Sequence, residues 1–287
     1  MVIPEYFVIE PTRQCNFSCF MCPNQYYSES EKGHMDIGIF TKIIEEIKQF
    51  ANLIQLYWMG EPLMNPKIFD FINIVKSRTK AKVVISTNGS LLSHYISDQL
   101  LSMKLDKLII DVDATTEDIY QKIRSKGTYE QLLANIEYII SSSQSTEIIL
   151  QFLHFKINHN EMEHFLNRWK RSNCITKIDW VDTWTNQMPE LADLAFSLSP
   201  YRNQERQPCA DLWHRMVINY RGEVNLCCHD YKPIYNLGNV TQKGIIELWN
   251  SDILSSFRDS HIKSKYWGLC KECNEWAKAA EYEELMR

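Results

Sequence analysis

Between residues 6 and 182, short apolar runs alternate six times with longer stretches of helical periodicity, and this alternation leaves few folds open. The runs lie at 6–10, 53–58, 82–86, 107–112, 147–153 and 177–181. They are rich in β-branched and aromatic residues. Several are apolar at nearly every position, as strands covered on both faces are. The stretches between them, at 37–50, 67–78, 91–103, 129–141 and 161–171, read as helices. In the first of these, Ile39, Ile43, Ile44 and Ile47 make a stripe suited to lying on a sheet, and Asp36 is placed to cap its start. Six strands with helices between them predict an α/β fold: a partial (β/α)6 barrel with parallel strands and right-handed crossovers.

The pattern breaks near Asp182. Residues 183–208 read as a connector, and a hairpin is expected from 216–219 and 223–226 with its turn at Gly222. A helix is expected over 245–258. Five of the nine cysteines fall after residue 208. The reading is therefore a barrel domain over 1–190 and a small cysteine-rich domain over 191–287. A net charge of −5 argues against a protein that grips nucleic acid by its phosphates. No apolar run approaches the ~20 residues of a membrane helix. The N-terminus shows no secretory signal, so the cysteines point to metal or redox chemistry in the cytoplasm rather than to disulfides.

Cys15, Cys19 and Cys22 form a Cys-x3-Cys-x2-Cys triplet just after the first expected strand. In a parallel barrel that is the rim where active sites are built. Thiolates are soft ligands suited to iron–sulfur clusters or zinc. Three close ligands leave one metal position open for a substrate or cofactor. A structural zinc would want a fourth ligand, for which His34 is the nearby candidate.

The triplet, with Phe20 and Met21 before its last cysteine, resembles the motif of the radical S-adenosylmethionine (radical SAM) superfamily. Further segments match in order, each at the end of an expected strand. Met59-Gly60-Glu61-Pro62 resembles the GGEP motif, with Met59 in place of the first glycine. Ser86-Thr87-Asn88-Gly89 resembles the ribose-contacting segment. Asp111-Val112-Asp113-Ala114-Thr115 resembles an S-x-D-G-A-T stretch, and Arg124 matches an arginine that faces the cofactor carboxylate in relatives. The resemblance implies S-adenosylmethionine held by Met59, Gly60, Glu61, Ser86, Asn88, Asp113 and Arg124, and a [4Fe–4S] cluster on Cys15, Cys19 and Cys22.

The C-terminal cysteines resemble a SPASM/Twitch auxiliary-cluster domain in its short Twitch form. That likeness implies a second [4Fe–4S] cluster on Cys209, Cys227, Cys270 and Cys273, although the same four could hold a structural zinc. Cys174 reads as an ordinary thiol. Cys228 stays open between three roles: a further ligand, a donor that returns a hydrogen atom to a substrate radical, and a small filler. Neighbours in an extended strand point to opposite faces, which makes joint ligation by Cys227 and Cys228 awkward.

The family's chemistry is reductive cleavage of S-adenosylmethionine to a 5′-deoxyadenosyl radical, which abstracts hydrogen from a substrate carbon. The layout is similar to 2-deoxy-scyllo-inosamine dehydrogenase-like enzymes. It implies oxidation of a secondary alcohol on a sugar or aminocyclitol, with a flavodoxin- or ferredoxin-type electron donor. The alternatives are an epimerase using Cys228, a peptide maturase, and a non-catalytic iron–sulfur or zinc scaffold. Tyr57, His154, Trp180, Asp182 and Trp184 fall near expected strand ends, where they either line the pocket or, for the aromatic ones, form rim core, and Asp230 is either a polar contact or part of a solvated loop.

Overall fold

A computed structural model of the chain describes residues 1–196 and 205–276. Residues 197–204 of the expected connector, and 277–287 at the end of the expected second domain, lie outside the described residues. Among the described residues there are eight strands: β1 Tyr6–Ile9, β2 Leu53–Gln55, β3 Lys82–Thr87, β4 Lys107–Asp111, β5 Glu147–His154, β6 Ile175–Trp180, β7 Arg215–Ile218 and β8 Val224–Asn225. They form one sheet in the order β6-β5-β4-β3-β2-β1-β7-β8. Every pairing is parallel except β7 with β8. The helices α1 Ile37–Ile47, α2 Ile68–Arg78, α3 His94–Ser102, α4 Glu117–Ile123, α5 Tyr129–Ser142 and α6 Met162–Trp169 are the crossovers. Two single turns, α7 Leu191–Leu194 and α8 Asp211–His214, lead to α9 Ile245–Trp249 and α10 Asp252–Ile262.

Strand alternation divides the residues between two environments. Phe7, Ile54, Val83, Leu108, Ile148 and Leu150 face outward into one large core beneath the helices. Phe40 of α1 and Phe71 of α2 stack there at 4.0 Å, so Phe40 rather than the half-buried Ile39 completes the buried stripe of α1. Asp36 caps α1, accepting from Gly38 N at 2.7 Å and Ile39 N at 3.2 Å. The inward positions Leu53, Val84, Ile109 and Ile149 make a second, smaller cluster with Tyr6 and Tyr57. That cluster plugs the barrel. Two residues further along their strands stand Gln55, Ser86, Asp111 and Gln151, a polar layer above an apolar plug.

The structure departs from the sequence reading in three places. The hairpin turn at Gly222 forms with φ +79, but its first strand, β7, pairs parallel with β1 from Tyr6↔Arg215 to Ile9↔Ile218. The C-terminal segment therefore extends the barrel sheet and shares its core, which includes Phe7 and Phe257 together. The expected helix 245–258 is broken into α9 and α10. Asn250 sits at the break and clamps the chain's start, accepting from Val2 N and donating to Val2 O, each at 2.9 Å. The short helix α4 carries too few apolar residues for its periodicity to be read.

Asn250→Ala removes both bonds to Val2. It is expected to lower stability by about 1–2 kcal/mol and to speed cleavage near the N-terminus. Chemical denaturation and limited proteolysis measure the two effects.

Candidate active site

The site begins where β1 ends. Glu10 and Arg13 form a fully buried ion pair, with Arg13 Nη2 donating to Glu10 Oε2 at 3.0 Å and Nε to Oε1 at 3.2 Å. The guanidinium lies over Tyr27 and Tyr220, at 4.3 and 5.0 Å from the ring centres. Burial pushes the Glu10 carboxyl up, against the pull of Arg13. The loop that leaves this pair carries Cys15, Cys19 and Cys22. Asn24 ties it down, donating from Nδ2 to the carbonyls of Arg13 and Met59 at 2.8 Å each. Met59 itself is 3% exposed and packs with Tyr27 and Tyr231.

Gly60 is required by space alone. A Cβ there would stand 2.2 Å from the Thr12 carbonyl oxygen and 2.7 Å from that of Gln14. Only glycine lets the end of β2 lie against the cysteine loop, where Glu61 N donates to Gln14 O at 2.8 Å. Glu61 turns inward and joins strand ends. It accepts from Asn88 N at 2.8 Å, Thr87 Oγ1 at 2.7 Å and Leu63 N at 3.2 Å. Burial outweighs these donors and pushes its carboxyl up to about 7. The Asn88 side chain reaches the cysteine loop, donating to Asn16 Oδ1 at 2.9 Å.

Asp111, rather than the expected Asp113, lines the cavity. Asp113 has φ +59 and no exposure. Its carboxylate accepts from Arg124 at 2.5 and 2.7 Å and from Leu153 N at 2.6 Å. It stands behind Arg124, while Asp111, 3.3 Å from Arg124, faces the cavity. Burial pushes Asp111 up to about 6, against Arg124. Burial disfavours the charged form of Arg124, but the two aspartates hold it firmly protonated.

A cavity of about 340 Å³ opens at this end of the barrel. Cys22, Ser86, Asp111, Arg124 and Cys228 all line it. So do Asp182 and the aromatic residues Tyr57, Trp180 and Trp184, for which the sequence left rim core as the alternative. His154 does not. It follows Leu153 on β5, and strand alternation turns it outward, where it bonds His159 at 3.0 Å and stacks on Phe196. Asp230 is also absent from the cavity. Fully buried, it accepts from Leu226 N and Ile234 N and so organises its own loop. Sequence reading missed Gln55, Gln151 and Arg215. Strand parity could have found the glutamines, whereas Arg215 needed the β1–β7 pairing.

The remaining cysteines divide between two cavities, with Cys227 and Cys228 parting at a turn beyond β8, where Asp230 N donates to Cys227 O at 3.1 Å. Cys209, Cys227, Cys270 and Cys273 line a second, small cavity with Leu212 and Leu226, while Cys228 faces the first. His229 lines both. Arg215 Nη2 donates to Cys228 Sγ at 3.1 Å, and His229 Nδ1 lies 3.5 Å from the same sulfur. Burial opposes ionisation of Cys228, yet Arg215 and His229 bring its thiol below the ordinary value. His229 Nε2 bonds Asp182 Oδ2. Burial pushes the thiols of Cys15 and Cys22 up to about 11 and about 12, and that of Cys273 up to about 12. Cys174 is half-buried beside β6, and His34 is exposed, bridged to Thr12.

Residues 9–168 match the Radical SAM superfamily. The chain belongs to that superfamily. Residues 209–274 match SPASM, an iron-sulfur cluster-binding domain. This radical SAM enzyme thus carries the two domains whose cofactors are S-adenosylmethionine and two [4Fe–4S] clusters. The residues present fit those groups. Three thiols share one buried loop beside the main cavity, and four share the wall of another. Among the described residues no three His, Cys, Asp or Glu side chains close on a single metal ion.

The radical SAM chain is 24% identical to the tungsten-containing aldehyde ferredoxin oxidoreductase cofactor-modifying protein of Pyrococcus furiosus, over 94% of this chain and 87% of that one. It is 22% identical to the S-adenosyl-L-methionine-dependent 2-deoxy-scyllo-inosamine dehydrogenase of Niallia circulans, over 93% and 91%. Its fold is similar to that of BtrN in complex with AdoMet and 2-DOIA, with a TM-score of 0.66, 18% identity, and 95% and 93% of the two chains covered. It is also similar to Streptococcus suis SuiB bound to the precursor peptide SuiA, with a TM-score of 0.74, 14% identity, and 99% and 74% covered.

Two predictions follow from the motif at the end of β2. Gly60→Ala forces backbone apart and is expected to cost about 1–3 kcal/mol and to impair iron loading of the cysteine loop. Denaturation and iron analysis read both. In cluster-free protein, Glu61 keeps its proton when folded up to about pH 7, whereas the unfolded chain releases it near the ordinary 4.5. Its contribution to stability is full below about 4.5 and is lost as pH rises to about 7. Glu61→Gln should flatten the measured stability–pH slope across that window.

Proposed function

We propose that this enzyme oxidises a secondary alcohol carbon of a sugar or aminocyclitol. In this reading Cys15, Cys19 and Cys22 hold the first cluster. Met59, Gly60, Glu61, Ser86, Asn88 and Arg124 surround S-adenosylmethionine, with Asp113 fixing Arg124 from behind. Cys209, Cys227, Cys270 and Cys273 hold the second cluster. When bound, the first cluster and S-adenosylmethionine supply the radical that removes hydrogen from the substrate carbon, with electrons from a flavodoxin- or ferredoxin-type donor.

The observation that carries the substrate class is how the cavity's indoles are used. Trp58 Nε1 donates to Cys228 O at 2.9 Å, Trp184 Nε1 to Met21 O at 3.2 Å, and Trp180 Nε1 to Glu275 Oε2 at 3.2 Å. All three N–H groups are engaged within the protein, so the rings offer the cavity apolar surface. The polar side is supplied by Gln55, Asp111, Gln151, Asp179 and Asp182. Apolar walls against a polar floor suit a cyclic polyol, whose ring has apolar faces and a hydroxylated edge. Carboxylates on that floor suit an ammonium substituent. The similarity to the Niallia circulans dehydrogenase supports the same class. The likeness to SuiB is one of fold.

A second reading, epimerisation, is favoured by the placement of Cys228 in the same cavity as Cys22. Against it stands the Arg215 contact, because a guanidinium donating to the sulfur favours the thiolate over the hydrogen-bearing thiol. In oxidation the alcohol carbon loses a hydrogen atom. Its radical would then lose a proton to solvent or a basic group and an electron, leaving a ketone; a cluster held by Cys209, Cys227, Cys270 and Cys273 would supply the electron acceptor.

Anaerobic turnover with sugars and aminocyclitols is expected to give a product two hydrogens lighter, with 5′-deoxyadenosine formed in step. Cys228→Ala should keep that turnover within about tenfold. An isomeric product carrying solvent deuterium at the reacting carbon, lost in Cys228→Ala, would replace oxidation with epimerisation.

A further inference from the structure

The second cysteine cavity is backed by two arginines that have no acidic partner among the described residues. Arg258, on α10, is 5% exposed. Its Nε donates to Leu212 O at 2.7 Å, and its guanidinium lies over Trp249, 4.7 Å from the ring centre. Its Nη2 is buried with no partner. Burial lowers its pKa, and no acid opposes that shift. Arg206 approaches from the connector. Its Nη2 donates to Cys270 O at 2.5 Å and its Nη1 to Lys271 O at 3.3 Å, and it stacks on Tyr266 at 3.8 Å. Its Nε is likewise buried and unpartnered.

Both arginines reach the cavity through one intermediary. Leu212, whose carbonyl Arg258 holds, lines it, and so does Cys270, whose carbonyl Arg206 holds. The acids at the cavity are otherwise engaged. Asp211 accepts from Arg215 Nε at 3.1 Å, and Glu275 accepts from Trp180. Arg206 is only partly buried, but Arg258 is a buried cation without a counter-charge, which is costly, so native chains seldom keep one without a use. Four thiolates around a [4Fe–4S] core make an anion, and the anion gains further charge when it accepts an electron.

We propose that Arg206 and Arg258 are the counter-charges of the auxiliary cluster and raise its affinity for an electron. The inference rests on the assignment of Cys209, Cys227, Cys270 and Cys273 to that cluster. Neither arginine is placed to touch the iron. Both act across one layer of backbone and side chain, by charge, so lysine should substitute for Arg258 and methionine should not. A cluster that more readily accepts an electron is the one an oxidation needs.

The test is a redox titration of the loaded enzyme followed by electron paramagnetic resonance. At a fixed potential, Arg258→Met should lower the ratio of reduced to oxidised auxiliary cluster about tenfold, a shift of about 59 mV for one electron. Arg258→Lys should stay within about twofold of the parent, and Arg206→Met should shift in the same direction as Arg258→Met. Stability should change sign with loading. Cluster-free Arg258→Met should unfold at a denaturant concentration no lower than the parent's, and the loaded variant at a lower one. Loss of auxiliary iron in Arg258→Met but not in Arg258→Lys would also support the proposal. Unchanged ratios in both methionine variants, with about eight irons per chain retained, would overturn it. A parent with about four irons and one zinc would instead sink the ligand assignment beneath it.

Discussion

The buried pair of Glu10 and Arg13 is the constraint on which this architecture turns. It takes two opposite charges out of water at the point where β1 ends and the cysteine loop begins. Such a pair is tolerated only with near-complete hydrogen bonding and close packing. Here the carboxylate also accepts from Tyr220 N at 3.0 Å, and the guanidinium lies over Tyr27 and Tyr220. Arg13 N donates to Gly33 O, and Asn24 ties Arg13 O to Met59 O. One ion pair thereby fixes the exit of β1, the loop of three thiols, the end of β2 and the turn between β7 and β8. Removing either partner alone would leave a bare charge beside the first cysteines.

From that fixed point the chain runs on to a turn that serves both cavities. β7 is held to β1, and the chain just beyond β8 carries Cys227 and Cys228 with opposite outlooks, one to each cavity. His229 forms wall for both and is tied to Asp182 from the other end of the chain's barrel. A substrate in the larger cavity and a cluster in the smaller would be separated by little more than this side chain. Short separation across packed protein is what single-electron transfer needs, so the proposed oxidation and the fold agree.

Much of this was legible in the sequence because its signals are local. The six strands and the crossover helices show in their apolar periods. Gly60 and Glu61 show as a motif, and the space at Gly60 explains the residue type. What was hidden depends on pairing at long range. Nothing in the run around Met216 says that it will lie beside Phe7, so Arg215 could not be placed in the cavity. The motif position points to Asp113, whereas Asp111, the last residue of β4, faces the cavity, and the chain turns beyond it with φ +59 at Asp113, which leaves Asp113 to hold Arg124. Strand parity excludes His154. Asn250 reads as an ordinary helix residue until Val2 is found beside it.

The pairing of β7 with β1 bears on how the chain could be divided. A barrel of six strands alone would end at β1 with a row of free backbone N–H and C=O groups from Tyr6 to Ile9, flanked by apolar side chains. Exposed edges of that kind recruit other strands and drive aggregation. Here β7 covers that edge, so the segment that carries the second cavity also serves as the barrel's hem. A fragment ending near residue 190 would be missing its boundary as well as its second cavity. The two stretches of sequence thus contribute strands to one sheet.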